Sequence, residues 1–391
     1  MLGGRVSLKI ALDAQLIFEK QKTGIGWTAD YILQNIIKEY NNEYCLNYFS
    51  LHRPKEKENI IREYKELGYK TNKCRWFHNV IYRKIWNTVP IPYSLFFGKD
   101  YQITQFFNYD IPPGVKGKSI TFVYDMVYKA FPETVSKKTK EMLDYNLSKT
   151  CERADHIVTI SEFSKNEIMK YMHIPKEKIS IMPCGVDLSI YHSNYGTEEI
   201  TFVKNKYNIQ GEYFLYLGTL EPRKNITRLI EAYALLKREM VDIPRLVLAG
   251  RKGWKYDEIF DKVKEHQLGK DIIFTGYVEA CETPLLLNGA KAFIFPSIYE
   301  GFGLPPLEAM ACGIPVIASN AASLPEVVGN AGILVDPYSI FEIKDAMKNV
   351  IINNMLRQEL QMQGIQHAKK FDWTNSVKKL MDIYENVLKD V

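Results

Sequence analysis

Cysteine is scarce and unpatterned. The six thiols, at positions 45, 74, 151, 184, 281 and 312, contain no Cys-x-x-Cys pair. That excludes a zinc ribbon or a disulfide frame and is the pattern of reduced, cytoplasmic thiols. The seven histidines show no metal-ligand spacing either. No apolar run approaches the length needed to cross a bilayer. Arg5, Lys9 and Asp13 interrupt the apolar N-terminal stretch, which argues against a signal peptide. There is no local Ser-His-Asp or Cys-His signature and no low-complexity segment. What remains is an ordinary globular composition, 46% hydrophobic and 25% charged over 391 residues. A chain of that length exceeds what one core usually holds, so two domains are expected.

Charge is unevenly spread. The net charge is +5, yet residues 51–100 alone carry 11 Lys and Arg against 5 Asp and Glu. Trp76, Phe77, Tyr82, Trp86, Tyr93, Phe96 and Phe97 are interleaved with those cations. Two readings stay open for this stretch. It is peripheral to an anionic membrane, where each cation adds about 1 kcal/mol, or it is a solvated face over a hydrophobic wall. No recognition motif accompanies the charge, so nucleic acid is not an expected partner.

Apolar, β-branched runs alternate with helical patterns, the signature of parallel strands joined by crossover helices. Strands are expected at 7–13, 44–50, 101–107, 119–124, 156–160 and 178–182 in the first half. In the second half they are expected at 213–217, 245–249, 271–274, 291–295, 314–317 and 332–334. Ile226, Leu229, Ile230, Tyr233 and Leu236 form one stripe of a helix over 226–240, with Asn225 as its N-cap. Pro183-Cys184-Gly185-Val186-Asp187 and the polar stretch to about residue 210 read as the linker. Each half therefore reads as an α/β Rossmann-like unit, one covering 1–187 and the other 200–372, with a last helix expected from about residue 373.

The densest signal is Pro296-Ser297-Ile298-Tyr299-Glu300-Gly301-Phe302-Gly303-Leu304-Pro305-Pro306-Leu307-Glu308. Two carboxylates flank a Gly-x-Gly turn that opens a helix. Glycine admits close backbone approach and positive φ, and the helix start offers free amides and a positive dipole end. Carboxylates so placed suit vicinal hydroxyls beside a phosphate. A second strand runs into Gly218-Thr219-Leu220-Glu221-Pro222-Arg223-Lys224-Asn225, where two cations face the crevice beyond a strand end. Near the N-terminus, Thr23-Gly24-Ile25-Gly26-Trp27 follows the first strand and precedes a helix. Each motif has a plainer reading: a surface loop, a solvated cation pair, a tight turn.

Together these motifs resemble the E-x7-E family-4 retaining glycosyltransferases, and the likeness covers nearly the whole chain. Their GT-B fold implies two Rossmann-like domains facing across a cleft, with the terminal helix at 373–391 crossing back to join the first. Within that family the segments look most like bacterial mannosyltransferases of polysaccharide assembly. The resemblance implies that Lys224 and Arg223 hold the donor diphosphate with amides around Gly301, Phe302, Gly303 and Leu304. It implies that Glu300 meets the donor sugar, Glu308 the ribose, and the backbone at Tyr277 and Val278 the base. Arg251 and Thr219 line the donor cleft, Thr219 standing where many members carry arginine. Gly24, Ile25 and Gly26 form the phosphate and acceptor loop. Tyr124 stands where the family carries a histidine that touches the donor sugar, so its phenol is expected to face substrate as a hydrogen-bond donor, with Asp125 beside it lining the cleft. Ser161 is expected to cap a helix, and His156 to be a satisfied strand residue.

No Asp-x-Asp pair occurs in the chain. With no metal or other cofactor expected, Arg, Lys and helix amides would neutralise the leaving group. The expected function is transfer of a hexose, mannose from GDP-mannose first, to a glycan or lipid-linked acceptor. Alternatives are a sugar-nucleotide epimerase or hydrolase, a phosphorylase, or a non-catalytic nucleotide-sugar-binding module. The expected location is cytoplasmic, with peripheral contact at the inner face of the membrane left open.

Overall fold

The computed structural model describes residues 7–389 apart from 20, 21, 23 and 53. Seven parallel strands build a first sheet: β1 (Lys9–Asp13), β2 (Glu43–Phe49), β3 (Lys70–Cys74), β4 (Ile103–Phe106), β5 (Lys118–Phe122), β6 (His156–Thr159) and β7 (Ile179–Ile181). Six more build a second: β8 (Tyr213–Leu217), β9 (Arg245–Ala249), β10 (Ile272–Gly276), β11 (Ala292–Phe295), β12 (Val316–Ser319) and β13 (Ile333–Val335). All twelve expected strands occur. The thirteenth, β3, escaped because Lys-Thr-Asn-Lys-Cys is polar and lies at the sheet edge, where little of it needs burying.

The strand orders are β3-β2-β1-β4-β5-β6-β7 and β10-β9-β8-β11-β12-β13. Each order reverses once, between β1 and β4 in the first sheet and between β8 and β11 in the second. Because every pair is parallel, all carboxyl ends of a sheet lie along one edge. Crevices open there at the reversal points. The registers Ile10↔Ile103 and Ala292↔Phe214 fix those two central pairs.

Helix α1 (Gly24–Glu39) follows β1 and packs on the terminal helix, which returns to the first lobe. Both glycines expected in a loop before this helix lie in its first turn; Thr23 lies outside the described residues. Three further helices position the sites: α2 (Asn79–Ile85), α3 (Glu162–Met172) and α4 (Ile226–Glu239). In α4 the stripe Ile226, Leu229, Ile230, Tyr233 and Leu236 is buried against the second sheet, as its spacing requires. The expected linker stretch is not wholly irregular, since it contains a helix at Thr197–Lys206.

Helix α5 (Leu304–Ala311) opens after Gly303, and α6 (Trp373–Lys389) carries the chain back. The crossing occurs where Val186 N donates to Phe371 O at 2.7 Å. A Cβ on Gly185 would stand 2.6 Å from Trp373 N, so only glycine fits there. Trp373 stacks on Tyr31 of α1 at 5.1 Å, and the buried Tyr384 hydroxyl donates to Gln105 Oε1 at 2.9 Å. No described helix is long and apolar enough to cross a membrane.

Candidate active site

The second sheet's reversal point is built from the exits of β8 and β11. Gly218 and Gly250 close β8 and β9 at φ 153° and 146°. A Cβ on Gly250 would lie 1.9 Å from Gly218 O, so the two loops approach as only glycine permits. A 3-10 turn, Pro222–Lys224, follows. Asn225 then takes a left-handed conformation at φ 60°. Its side chain does not cap α4 as expected. It donates to Pro296 O at 3.0 Å and Pro337 O at 2.6 Å, tying the cation loop to the β11 exit. Short polar residues tolerate this backbone, and two buried carbonyls outbid the cap.

That tie brings Arg223 and Lys224 onto Glu300. Arg223 Nη1 donates to Tyr299 O at 2.8 Å and Glu300 Oε2 at 3.0 Å, while Nη2 reaches Glu221 Oε1 at 2.7 Å. Lys224 Nζ donates to Glu300 Oε1 at 2.6 Å. Both carboxylate oxygens of Glu300 are thus held by cations. Burial alone would push the Glu300 carboxyl up; Arg223 and Lys224 override it and hold it at about 2. Burial likewise pulls the Lys224 ammonium below its ordinary value, against the attraction of Glu300. The sequence located all three residues. It did not show that the cations are occupied by the glutamate instead of standing free for a ligand.

Beyond Glu300 the chain meets the first lobe. A Cβ on Gly301 would stand 2.8 Å from Tyr124 O and 3.0 Å from Asp125 Cβ. Gly301 O accepts from Ser161 Oγ at 2.7 Å and Ser164 Oγ at 3.1 Å. Ser161 also caps α3, accepting from Ser164 N at 3.0 Å, as its sequence position suggests. Glu326 accepts from Glu162 N at 2.9 Å and Phe163 N at 2.8 Å, capping α3 from the opposite lobe. The Tyr299 hydroxyl accepts from Met126 N at 3.0 Å. Ser323 Oγ lies 2.9 Å from Glu300 O and 2.7 Å from Phe302 O, bracing the turn. Glu221, Tyr299, Ser164, Ser323 and Glu326 were not singled out in the sequence. Only Glu221 and Tyr299 carry a local signal, each adjoining a cation or carboxylate already marked.

The remaining candidates fall in several places. Glu308, half-buried on α5, stands outside the ion cluster; burial raises its carboxyl to about 7, opposed by a hydrogen bond with Tyr191. Gly303 takes φ 117° ahead of Leu304, where a Cβ would strike Leu324 at 2.6 Å. Phe302 is buried against Phe371. Thr219 and Arg251 lie in adjoining loops, linked through Leu220 N donating to Arg251 O at 2.9 Å; Arg251 is exposed. Tyr277 is exposed and Val278 buried just past β10. Gly24, Ile25 and Gly26 present the first turn of α1.

Tyr124 departs from expectation. Its hydroxyl donates to Phe107 O at 3.0 Å and its ring stacks on Phe122, so it serves the first lobe's core. Only its backbone carbonyl reaches the interface. Asp125 beside it accepts from Val127 N at 3.0 Å, and burial raises its carboxyl. His156, as expected, is satisfied in β6 by Ser180 Oγ at 2.8 Å. Among the described residues no group of three or more His, Cys, Asp and Glu side chains is arranged to hold a metal ion.

Residues 197–371 match the glycosyl transferases group 1 family and residues 118–190 the glycosyltransferase family 4. O-antigen chain mannosyltransferase B of Escherichia coli is 34% identical over 281 residues, which is 71% of this chain and 72% of that protein. The chain belongs to the group 1 glycosyltransferases. Serotype-specific mannosyltransferase WbdA of Escherichia coli is 33% identical over 239 residues, covering 61% of this glycosyltransferase but only 29% of that larger protein. A glycosyltransferase from Rickettsia africae superposes with a TM-score of 0.69 at 16% identity, covering 98% of this chain and 100% of the other. Anabaena HepE, solved in complex with UDP-glucose, gives 0.71 at 16% identity, covering 97% and 100%. The fold of this glycosyltransferase is GT-B.

Proposed function

We infer that the chain transfers a hexose with retention of configuration, without a metal ion, from a nucleotide sugar to a glycan or lipid-linked acceptor. GDP-mannose is the first candidate donor and a UDP-sugar the next. The observation that carries this reading is the Arg223–Glu300–Lys224 cluster at the second sheet's reversal point. Likeness to two mannosyltransferases, one of an O-antigen chain, supports mannose. The donor would bind the second lobe (200–372) and the acceptor the first (1–187 with 373–391).

The difficulty of the reaction is departure of a nucleoside diphosphate, with charge developing on its oxygens. An entering diphosphate competes with Glu300 for Arg223 and Lys224. Drawing the cations onto phosphate frees the Glu300 carboxylate for the donor-sugar hydroxyls. Amides about Gly303 and Leu304 add fixed positive dipoles, preorganised electrostatics of the kind that lowers such barriers. The acceptor oxygen bonds to the anomeric carbon as the bond to phosphate breaks, and its proton passes to the departing phosphate oxygen. No protein base is then required, which suits a Tyr124 committed to the lobe core. Glu308 holds the ribose hydroxyls.

A thermal-shift panel of nucleotide sugars tests this, since a ligand that binds only the folded state raises its stability. GDP-mannose is expected to give the largest shift, Glu308→Gln to lose most of it, and transfer to persist in excess EDTA with product anomeric configuration unchanged from the donor. Inversion, or activity lost to EDTA and restored by Mg2+, overturns the retaining or metal-free reading.

Contact with membrane belongs to the same proposal. Trp76, Val80, Ile81 and Leu95 are more than half exposed within the cation-rich stretch of the first lobe. Vesicles rich in anionic lipid are expected to pull the protein down at low salt and to release it as salt rises. Failure to co-sediment at low salt ends the idea.

A further inference from the structure

The first lobe has its own reversal point, between β1 and β4, and the ion cluster described above makes no use of it. A cavity of about 140 Å³ opens there, past the carboxyl ends of β1, β2 and β4. Asp13, Gln15 and Glu19 enter it from the β1 exit, and Asp110 from the β4 exit. Arg83 and Trp86 close it from α2 and the residue that follows, with Tyr82, Tyr93 and Phe106 completing an aromatic wall.

The polar groups of this cavity are not all satisfied. Asp110 is 7% exposed; its Oδ2 takes the Arg83 guanidinium, and its Oδ1 has no hydrogen-bond partner. Tyr93 is 4% exposed, and its hydroxyl has no well-formed hydrogen bond, only the buried Asn47 side-chain amide within looser reach. Gln15 Nε2 is also buried and unpaired. Groups of this kind are normally paired in a folded protein, and each one left orphaned weakens it. Here acceptors and donors without partners share one cavity. A ligand with several hydroxyls would satisfy both kinds.

Charge narrows the ligand. Among the described residues that line it, three carboxylates, Asp13, Glu19 and Asp110, face one cation, Arg83, which Asp110 already holds; Lys57 lies within electrostatic reach of Asp13. That balance repels phosphate. Aromatic walls with a few convergent polar groups suit a small ring with apolar C–H faces and polar edges. The cavity and the ion cluster are coupled by charge through two intermediate groups. Tyr109 is within electrostatic reach of Arg83 and Glu19 on one side and Asp125 on the other, and Asp125 feels Arg223 and Glu300.

We propose that this crevice is the acceptor subsite and that it takes a neutral pyranose with vicinal hydroxyls, held by Asp13, Asp110 and Gln15 against the aromatic wall. The phosphate of a lipid-linked acceptor is kept out of it. This rests on reading the molecule as a transferase to a glycan, and it adds the chemical class of the unit that receives the sugar.

The test uses the full chain with methyl α-D-mannopyranoside as the probe acceptor. Asp13→Asn and Gln15→Leu are each expected to raise the acceptor KM at least tenfold while the thermal shift given by the nucleotide sugar is retained. Asp110→Asn, which keeps the side-chain volume, gives the same result should either variant fold poorly. An acceptor KM unchanged in all three overturns the proposal and leaves the donor reading intact. If no nucleotide sugar is bound or turned over, the donor reading fails instead, and direct titration still decides the cavity. The pyranoside is expected to perturb tryptophan fluorescence in the wild type and not in Trp86→Phe. Displacement of the pyranoside by inorganic pyrophosphate would overturn the assignment to a neutral ligand.

Discussion

Replacing Glu300 by glutamine is expected to lower stability by about 3 kcal/mol, because removal of one partner strands buried charge, and to slow transfer roughly a thousandfold. Glu300 is 8% exposed and anchors two cations, so the amide leaves Lys224 without its carboxylate beside a second positive group. Lys224→Met separates the two effects. Glu300 keeps Arg223, and the methionine stem fills the space of the lysine stem, so the stability loss is expected to be smaller while transfer still falls roughly a thousandfold. Acid denaturation supplies an independent check. The Glu300 carboxyl is held at about 2 against an ordinary 4.5. A depressed carboxyl contributes stability above its unfolded value and loses it as pH falls toward the folded one. Wild type should therefore lose stability between about 4.5 and about 2 in a way that Glu300→Gln does not. Equal acid profiles, or Glu300→Gln with near-normal turnover, would show that the cluster is not what the chemistry uses.

Much of this arrangement was legible in the chain because its determinants are local. A buried run such as Tyr-Phe-Leu-Tyr-Leu ending in glycine declares a strand and the loop beyond it. Glu300 and Glu308 are positioned by a turn and one helix, all within thirteen residues. Contacts across the chain were not legible. Asn225 has the composition of a helix cap, yet two carbonyls from distant segments claim its amide. Tyr124 looked like a group facing substrate until Phe107 O, seventeen residues earlier, took its hydroxyl. Glu326 lies in an unremarked Leu-Pro-Glu helix, and its partner amides lie 163 and 164 residues away. The acceptor crevice was the least visible feature. Asp13, Gln15, Arg83 and Asp110 come from separate elements and share no motif. Only the order in which parallel strands assemble puts them at one reversal point.

Gly301→Ala is expected to cost roughly a hundredfold in transfer while leaving donor binding within a few-fold of wild type. The added methyl would stand 2.8 Å from Tyr124 O and 3.0 Å from Asp125 Cβ, both near the backbone end of a central strand. Neither can yield as the tip of a flexible side chain could. The Gly301 carbonyl is held meanwhile by Ser161 and Ser164. The contact must therefore open, and the lobes must separate by a few tenths of an ångström or more along the line joining acceptor and donor. Misplacement of about 1 Å between reacting groups can cost about a hundredfold. The donor groups, Arg223, Lys224 and Glu308, all ride on the second lobe and move as a unit, which is why binding should survive. Glu326→Ala provides the comparison. It removes the cap that the second lobe places on α3 but introduces no clash, so the lobes are freed instead of being pried apart, and the loss should be smaller. Amide hydrogen exchange at Glu162 and Phe163, which Glu326 caps from the second lobe, should be faster in Gly301→Ala than in wild type. Transfer at the wild-type rate in Gly301→Ala would mean that chemistry proceeds without the lobes meeting at this glycine, and the closed contact would then have no part in catalysis.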